Sequence, residues 1–94
     1  MVSVHAEPKG EDWRCEVDVD LADQRTRHAV TVKRADLERW GDGLDRVSVE
    51  ALVARSFDFL LDHEPPDAIL PNFDLSVIES YFPEFGIAIE RHRP

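Results

Sequence analysis

The stretch Val49–His63, reading VEALVARSFDFLLDH, constrains this chain more than any other. At a helical period Val49, Leu52, Val53, Ser56, Phe57 and Leu60 fall on one apolar or small face, which Phe59 and Leu61 widen at opposite edges. With ~100° between successive residues, the apolar arc takes in about half the helix cylinder. A single neighbour cannot bury so wide an arc. The helix must therefore pack on two sides, with a sheet beneath it and the C-terminal segment alongside. Ala51, Arg55, Asp58 and Asp62 are left for water. Ser48 reads as the N-cap, and Val47 before it as a staple onto Leu52. Pro65-Pro66 ends the helix, because proline has no N–H to donate and disfavours helix in the residue before it; the main helix is placed at 48–64.

The sheet is read from alternation. Trp13, Cys15, Val17, Val19 and Leu21 share one face and Arg14, Glu16, Asp18 and Asp20 the other, the pattern of a half-buried strand. Over Arg27–Arg34, His28, Val30 and Val32 alternate with Ala29, Thr31 and Lys33, so 13–34 is expected to be a β-hairpin. Both apolar sets must face the core, which pairs odd positions of the first strand with even positions of the second. The preferred register sets Val19 opposite Val30, Val17 opposite Val32 and Glu16 opposite Lys33. The other sets Asp20 opposite Arg27 but Arg14 opposite Lys33, a like-charge pair that costs up to ~1 kcal/mol. Val2 and Val4 alternate ahead of the polar turn Glu7–Asp12 and suggest a third strand.

One helical turn is expected within Ala35–Gly43, with Asp36 as its cap and Leu37 and Trp40 facing inward. Further on, Asp74 reads as the cap of a short helix from Leu75 to Phe82 that Pro83 ends, giving a C-terminal helical segment at 74–85. Ile69, Leu70, Phe73, Leu75, Ile78, Tyr81, Phe82 and Phe85 are too many large apolar groups for a free tail, so this segment folds back onto the main helix. Residues 86–94 read as an edge strand or a disordered tail. The expected fold is a single α+β domain: a small antiparallel sheet of two or three strands, the main helix on one face and a short C-terminal helix closing the core.

The run SFDFLLDHEP (Ser56–Pro65) followed by AILPNFDLSVIESYFPEF (Ala68–Phe85) resembles the C-terminal half of a group of short uncharacterised bacterial proteins with the pattern SFxFLLxxEP, then IL, then FDLxVIxxYFPEY. Phe85 stands where that pattern has an aromatic residue, often tyrosine. The resemblance implies a small stand-alone domain and carries no catalytic activity with it.

A formal charge of −9 repels nucleic acid and anionic lipid at long range. The N-terminus MVSVHAEPKG lacks a signal peptide's basic end and apolar core, and no apolar run approaches ~20 residues, so a cytosolic protein without membrane attachment is expected. Cys15 is the single cysteine, which excludes an internal disulfide and a thiolate zinc site within one chain. His5, His28, His63 and His92 are scattered, and the glycines are dispersed at turns instead of forming a phosphate loop. No nucleophile elbow or Cys/His pairing accompanies the serines. Neither a cofactor nor a metal is predicted. What remains is a surplus of apolar side chains, which suggests a small, acidic, non-enzymatic interaction or regulatory module that works as a homodimer or with another protein. Its candidate interface is Phe59, Leu61, Tyr81 and Phe85. One alternative is an antitoxin-like or repressor-like nucleic-acid binder using a basic hairpin of Arg25, Arg27, Lys33 and Arg34. The other is a metal-assisted enzyme built on Asp58, Asp62 and His63.

Overall fold

The structure, a computed structural model, describes residues 1–91. Strand alternation extends over three consecutive strands, β1 (Val2–Lys9), β2 (Asp12–Leu21) and β3 (Gln24–Val32), which form an antiparallel meander. Helices α1 (Arg34–Trp40) and α2 (Arg46–Leu61) follow, and after a 3-10 turn at Pro66–Ala68 the chain returns as β4 (Asn72–Asp74). This strand pairs parallel to β3, so the sheet order is β1-β2-β3-β4. Two short helices, α3 (Val77–Tyr81) and α4 (Phe85–Arg91), complete the chain. The fold is α+β, with α2 packed against one face of the sheet, and the antiparallel part has the three strands of the larger expectation. The parallel fourth strand has no counterpart in the sequence reading.

Register lines the core face up in rows. Val4, Val17 and His28 make one, and Ala6, Cys15, Val30 and Phe73 the next. The expected parity therefore holds, but both expected registers are wrong: Cys15 lies opposite Val30, and Val17 opposite His28. The reason is the turn. A loop of Ala22 and Asp23 alone, with Ala22 at φ 55°, brings Leu21 opposite Gln24. The tight turn extends the ladder and sets Asp18 against Arg27 at 2.8 Å and Asp20 against Arg25 at 3.4 Å. At the other turn, Gly10 at φ 64° lets β1 run on to Lys9.

The helices also depart from expectation in their details. Asp45 occupies the N-cap of α2, and Ser48 lies inside the first turn, its hydroxyl donating to the Asp45 carboxylate at 2.5 Å. Val47 is 72% exposed and makes no staple. Lys33, not Asp36, precedes α1; Asp36 is buried in its first turn and accepts from Arg39 at 3.0 Å. Arg55, expected in water, is largely buried, its guanidinium on the Trp40 carbonyl and the Asp42 carboxylate. Asp74 ends β4 instead of capping a helix. The segment from Gly86 is helix, not strand or tail, as far as the description reaches; 92–94 lie outside the described residues. Phe85 and Ile89, one helical turn apart, are both fully buried, so burying them on one side selects helix.

Glu50 closes the open edge of β1. Odd residues of β1 bond to β2, as Asp20 N–H does to the Met1 carbonyl, so even residues face outward. The outward N–H of Ala6 is taken by the Glu50 carboxylate at 2.9 Å, and Pro8 has no N–H to offer. Glu50→Ala leaves the Ala6 donor without its partner on a residue that is fully buried. It is expected to lower the unfolding free energy by about 1–2 kcal/mol in urea denaturation, with the slope unchanged. A variant as stable as the parent would show that the clasp contributes nothing.

Candidate functional site

The sequence-predicted site residues part company in the structure. Of the four expected interface residues, Phe85 is fully buried and Phe59 is 7% exposed. The cause is α4: Phe85 inserts between Trp40 and Phe59, with ring centroids 5.0 and 5.4 Å away, and Phe82 covers Phe59 at 5.7 Å. Leu61 is partly buried against the core. Tyr81 alone stands out, at 68% exposed.

Tyr81 borders a cleft of about 200 Å³. Leu60 of α2, Ile69, Phe73 of β4 and Ile78 of α3, all buried, line it, while Ala68, Leu70 and Tyr81 are its exposed residues. It is smaller than the ~300–1,000 Å³ of small-molecule sites and suits one or two side chains of a partner better than a cofactor. Glu64 is the one charged residue lining it. An open trough of about 500 Å³ lies beyond, between the β2–β3 turn and the loop after α2, lined by Asp23, Asp62, His63 and again Glu64. The sequence places Leu70 in the apolar segment that folds back onto the main helix, and it offers Glu64 only as part of Asp62-His63-Glu64, whose side chains point too far apart on a helix to act together, not as an interface residue. The available signal was Ile69-Leu70, adjacent apolar residues just before Pro71, which favours extended backbone in the residue before it, where successive side chains point to opposite sides.

Side chains that bond the backbone hold the cleft's walls. His28 is 2% exposed on the core face of β3, its Nδ1 bonded to the Leu70 carbonyl at 2.7 Å and its Nε2 to Thr26 Oγ1 at 2.8 Å. A proton on Nδ1 satisfies both contacts, with the Thr26 hydroxyl donating to Nε2. The ring also packs on Phe57 at 5.3 Å. On the other wall His63 Nδ1 bonds the Phe59 carbonyl at 2.8 Å, in the last turn of α2. Its ring lies 4.5 Å from Phe59 and 4.9 Å from Phe82, with Glu84 at 3.8 Å from Nε2. His63 is thus committed to structure, and Asp58 and Asp62 point to water. Among the described residues no three His, Cys, Asp or Glu side chains come together to hold a metal ion.

The basic residues are not gathered into one ribbon. Arg25 and Arg27 pair with Asp20 and Asp18 near the β2–β3 turn, whereas at the far end Lys33 reaches Asp74 at 3.5 Å and Arg34 reaches Glu38 at 3.6 Å. Cys15 is fully buried; desolvation, with the Glu50 carboxylate adding to it, pushes its thiol up to about 12, far from a nucleophile's range. No helix of the described residues is long and apolar enough to cross a membrane. No protein-family model, curated protein or solved structure matches the chain.

Asp74 fixes the step from β4 into α3. Its carboxylate accepts from the Ser76 N–H at 3.0 Å and the Ser76 hydroxyl at 2.8 Å. Partial burial acts to raise its pKa, but the Ser76 hydrogen bonds and the Lys33 ammonium outweigh this and hold the carboxyl below its ordinary value. A depressed carboxyl contributes stability that is complete above the unfolded-state pKa, ~3.9, and is lost as pH falls through the lower folded value. Asp74→Ala is expected to cost about 1 kcal/mol at neutral pH and nearly nothing at a pH below the folded value. Urea titrations across that window check it, and a penalty independent of pH would contradict the assignment.

Proposed function

We propose that this chain is a cytosolic, non-enzymatic protein-interaction module that docks another protein through the cleft between α2, β4 and α3. The observation that supports this reading most is the apolar cleft itself, with Leu70 45% and Tyr81 68% exposed beside buried Leu60, Ile69, Phe73 and Ile78. Large side chains left in water next to a preformed apolar recess are what an interface centre needs: an anchor pocket and an aromatic residue to close over it. A formal charge of −9 favours a different protein over a second copy of the same one, since association of two copies brings like charges together. The alternative of nucleic-acid binding draws less support, because Arg25, Arg27, Lys33 and Arg34 each already face a carboxylate, and a phosphate must displace it.

The test is a nuclease-treated pull-down from lysate of the source organism with the parent chain and with Leu70→Glu plus Tyr81→Glu. Both positions are exposed, so the variant should unfold within ~0.5 kcal/mol of the parent per site. The expected result is a protein retained by the parent and reduced about tenfold or more by the variant. Equal recovery on both baits, or material that vanishes with nuclease, would remove the reading.

A further inference from the structure

The carboxylates around the cleft say what kind of partner it takes. Many acids elsewhere are occupied: Asp18, Asp20, Asp36, Glu38, Asp42, Asp74 and Glu79 pair with cations, and Glu50 and Asp45 with a backbone N–H and a hydroxyl, while the exposed Glu11, Glu16, Asp58 and Glu90, which have no such partner among the described residues, line neither the cleft nor the trough. Asp62, Glu64 and Asp67, consecutive acids of the loop between α2 and β4, have no hydrogen-bonded or ion-paired side chain among the described residues, and neither does Asp23 across the trough. Glu64 lines both the apolar cleft and the trough, so the two share a wall. No Lys or Arg lines either.

Resting on the docking reading above, we infer that the occupant is a basic–apolar segment of another protein, its apolar side chain in the cleft and a neighbouring Lys or Arg on Glu64, with Asp62 and Asp23 drawing further positive charge along the trough. An apolar anchor alone would leave the Glu64 carboxylate in a partly covered position without a counter-charge, which disfavours neutral and acidic segments. The same unpaired acids disfavour a second copy of this chain. Unpaired surface charge of one sign also speeds encounter with an oppositely charged partner, so binding should weaken as salt rises.

The experiment pans a phage-displayed library of random peptides on the immobilised full chain, then titrates the enriched peptides, synthesised, into the parent, Glu64→Gln and Leu70→Glu. The expected peptides carry an apolar residue close to Lys or Arg. They should lose about fivefold in affinity with Glu64→Gln and about tenfold or more with Leu70→Glu, with the salt dependence reduced in Glu64→Gln. Peptides that require Leu70 but lack basic residues and ignore Glu64→Gln would overturn the charge inference and leave the docking reading standing. Peptides indifferent to Leu70→Glu, or no enrichment at all, would overturn both. Concentration-dependent dimerisation of the parent in sedimentation equilibrium, abolished by Leu70→Glu, would assign the cleft to a second copy and overturn the inference.

Discussion

The return of the chain to the edge of β3 is the constraint on which the rest depends. Ala29 N–H bonds the Pro71 carbonyl, Leu75 N–H bonds the Thr31 carbonyl, and His28 bonds the Leu70 carbonyl from inside the core. These contacts seat Phe73 beside Val30 and against Phe57, 6.1 Å away, and so cover the side of α2 that the sheet cannot reach. Everything C-terminal is placed by that step. Asp74 turns the chain into α3, Phe82 and Phe85 come down on Phe59, and Ile69, Phe73 and Ile78 are left around a recess that none of them fills.

Placing α2 and the C-terminal helices on one face leaves the other face of the sheet to water, and its chemistry follows. There Asp18 and Asp20 face Arg27 and Arg25 across the hairpin, exposed pairs that follow from the register the turn sets and contribute little to stability, typically below ~1 kcal/mol. Arg25 and Arg27, two of the charges most readily taken for a nucleic-acid surface, are in this way paired with carboxylates of the neighbouring strand. Asp62, Glu64 and Asp67, acids that no cation among the described residues pairs with, sit in the loop after α2, and Glu64 lines the cleft beside the exposed Leu70 and Tyr81. The cleft thus brings exposed apolar side chains and an acid without a counter-charge together.

The parts of the fold legible in the sequence were those with a strong period. The apolar arc over Val49–Leu60 is buried in the structure, and the alternation expected from Trp13 to Leu21 holds as far as Val19, with Leu21 43% exposed beside the turn, because burial on one face is what both patterns record. The register was not legible, since the deciding turn places Ala22 at positive φ with no glycine or asparagine to announce it. Strand β4 was hidden for another reason: Asn72-Phe73-Asp74 is too short for any period and becomes a strand only beside β3. The site was legible in part. Surplus aromatic residues pointed to leftover apolar surface and picked out Tyr81, yet which aromatics were surplus depended on α4, whose two buried residues Phe85 and Ile89 were too few to show a helix in advance.

Native-state hydrogen exchange at the Leu75 and Ala29 amides tests most directly whether the C-terminal segment is integral to the sheet. If β4 and its flanking contacts hold the segment as described, both amides exchange only through global unfolding, with the free energy and denaturant dependence of the core amides of β2. Exchange through a local opening several kcal/mol below the global value, with little denaturant dependence, would mean that the segment detaches on its own. The cleft would then not be a fixed feature of the fold, and the account would be contradicted at its base.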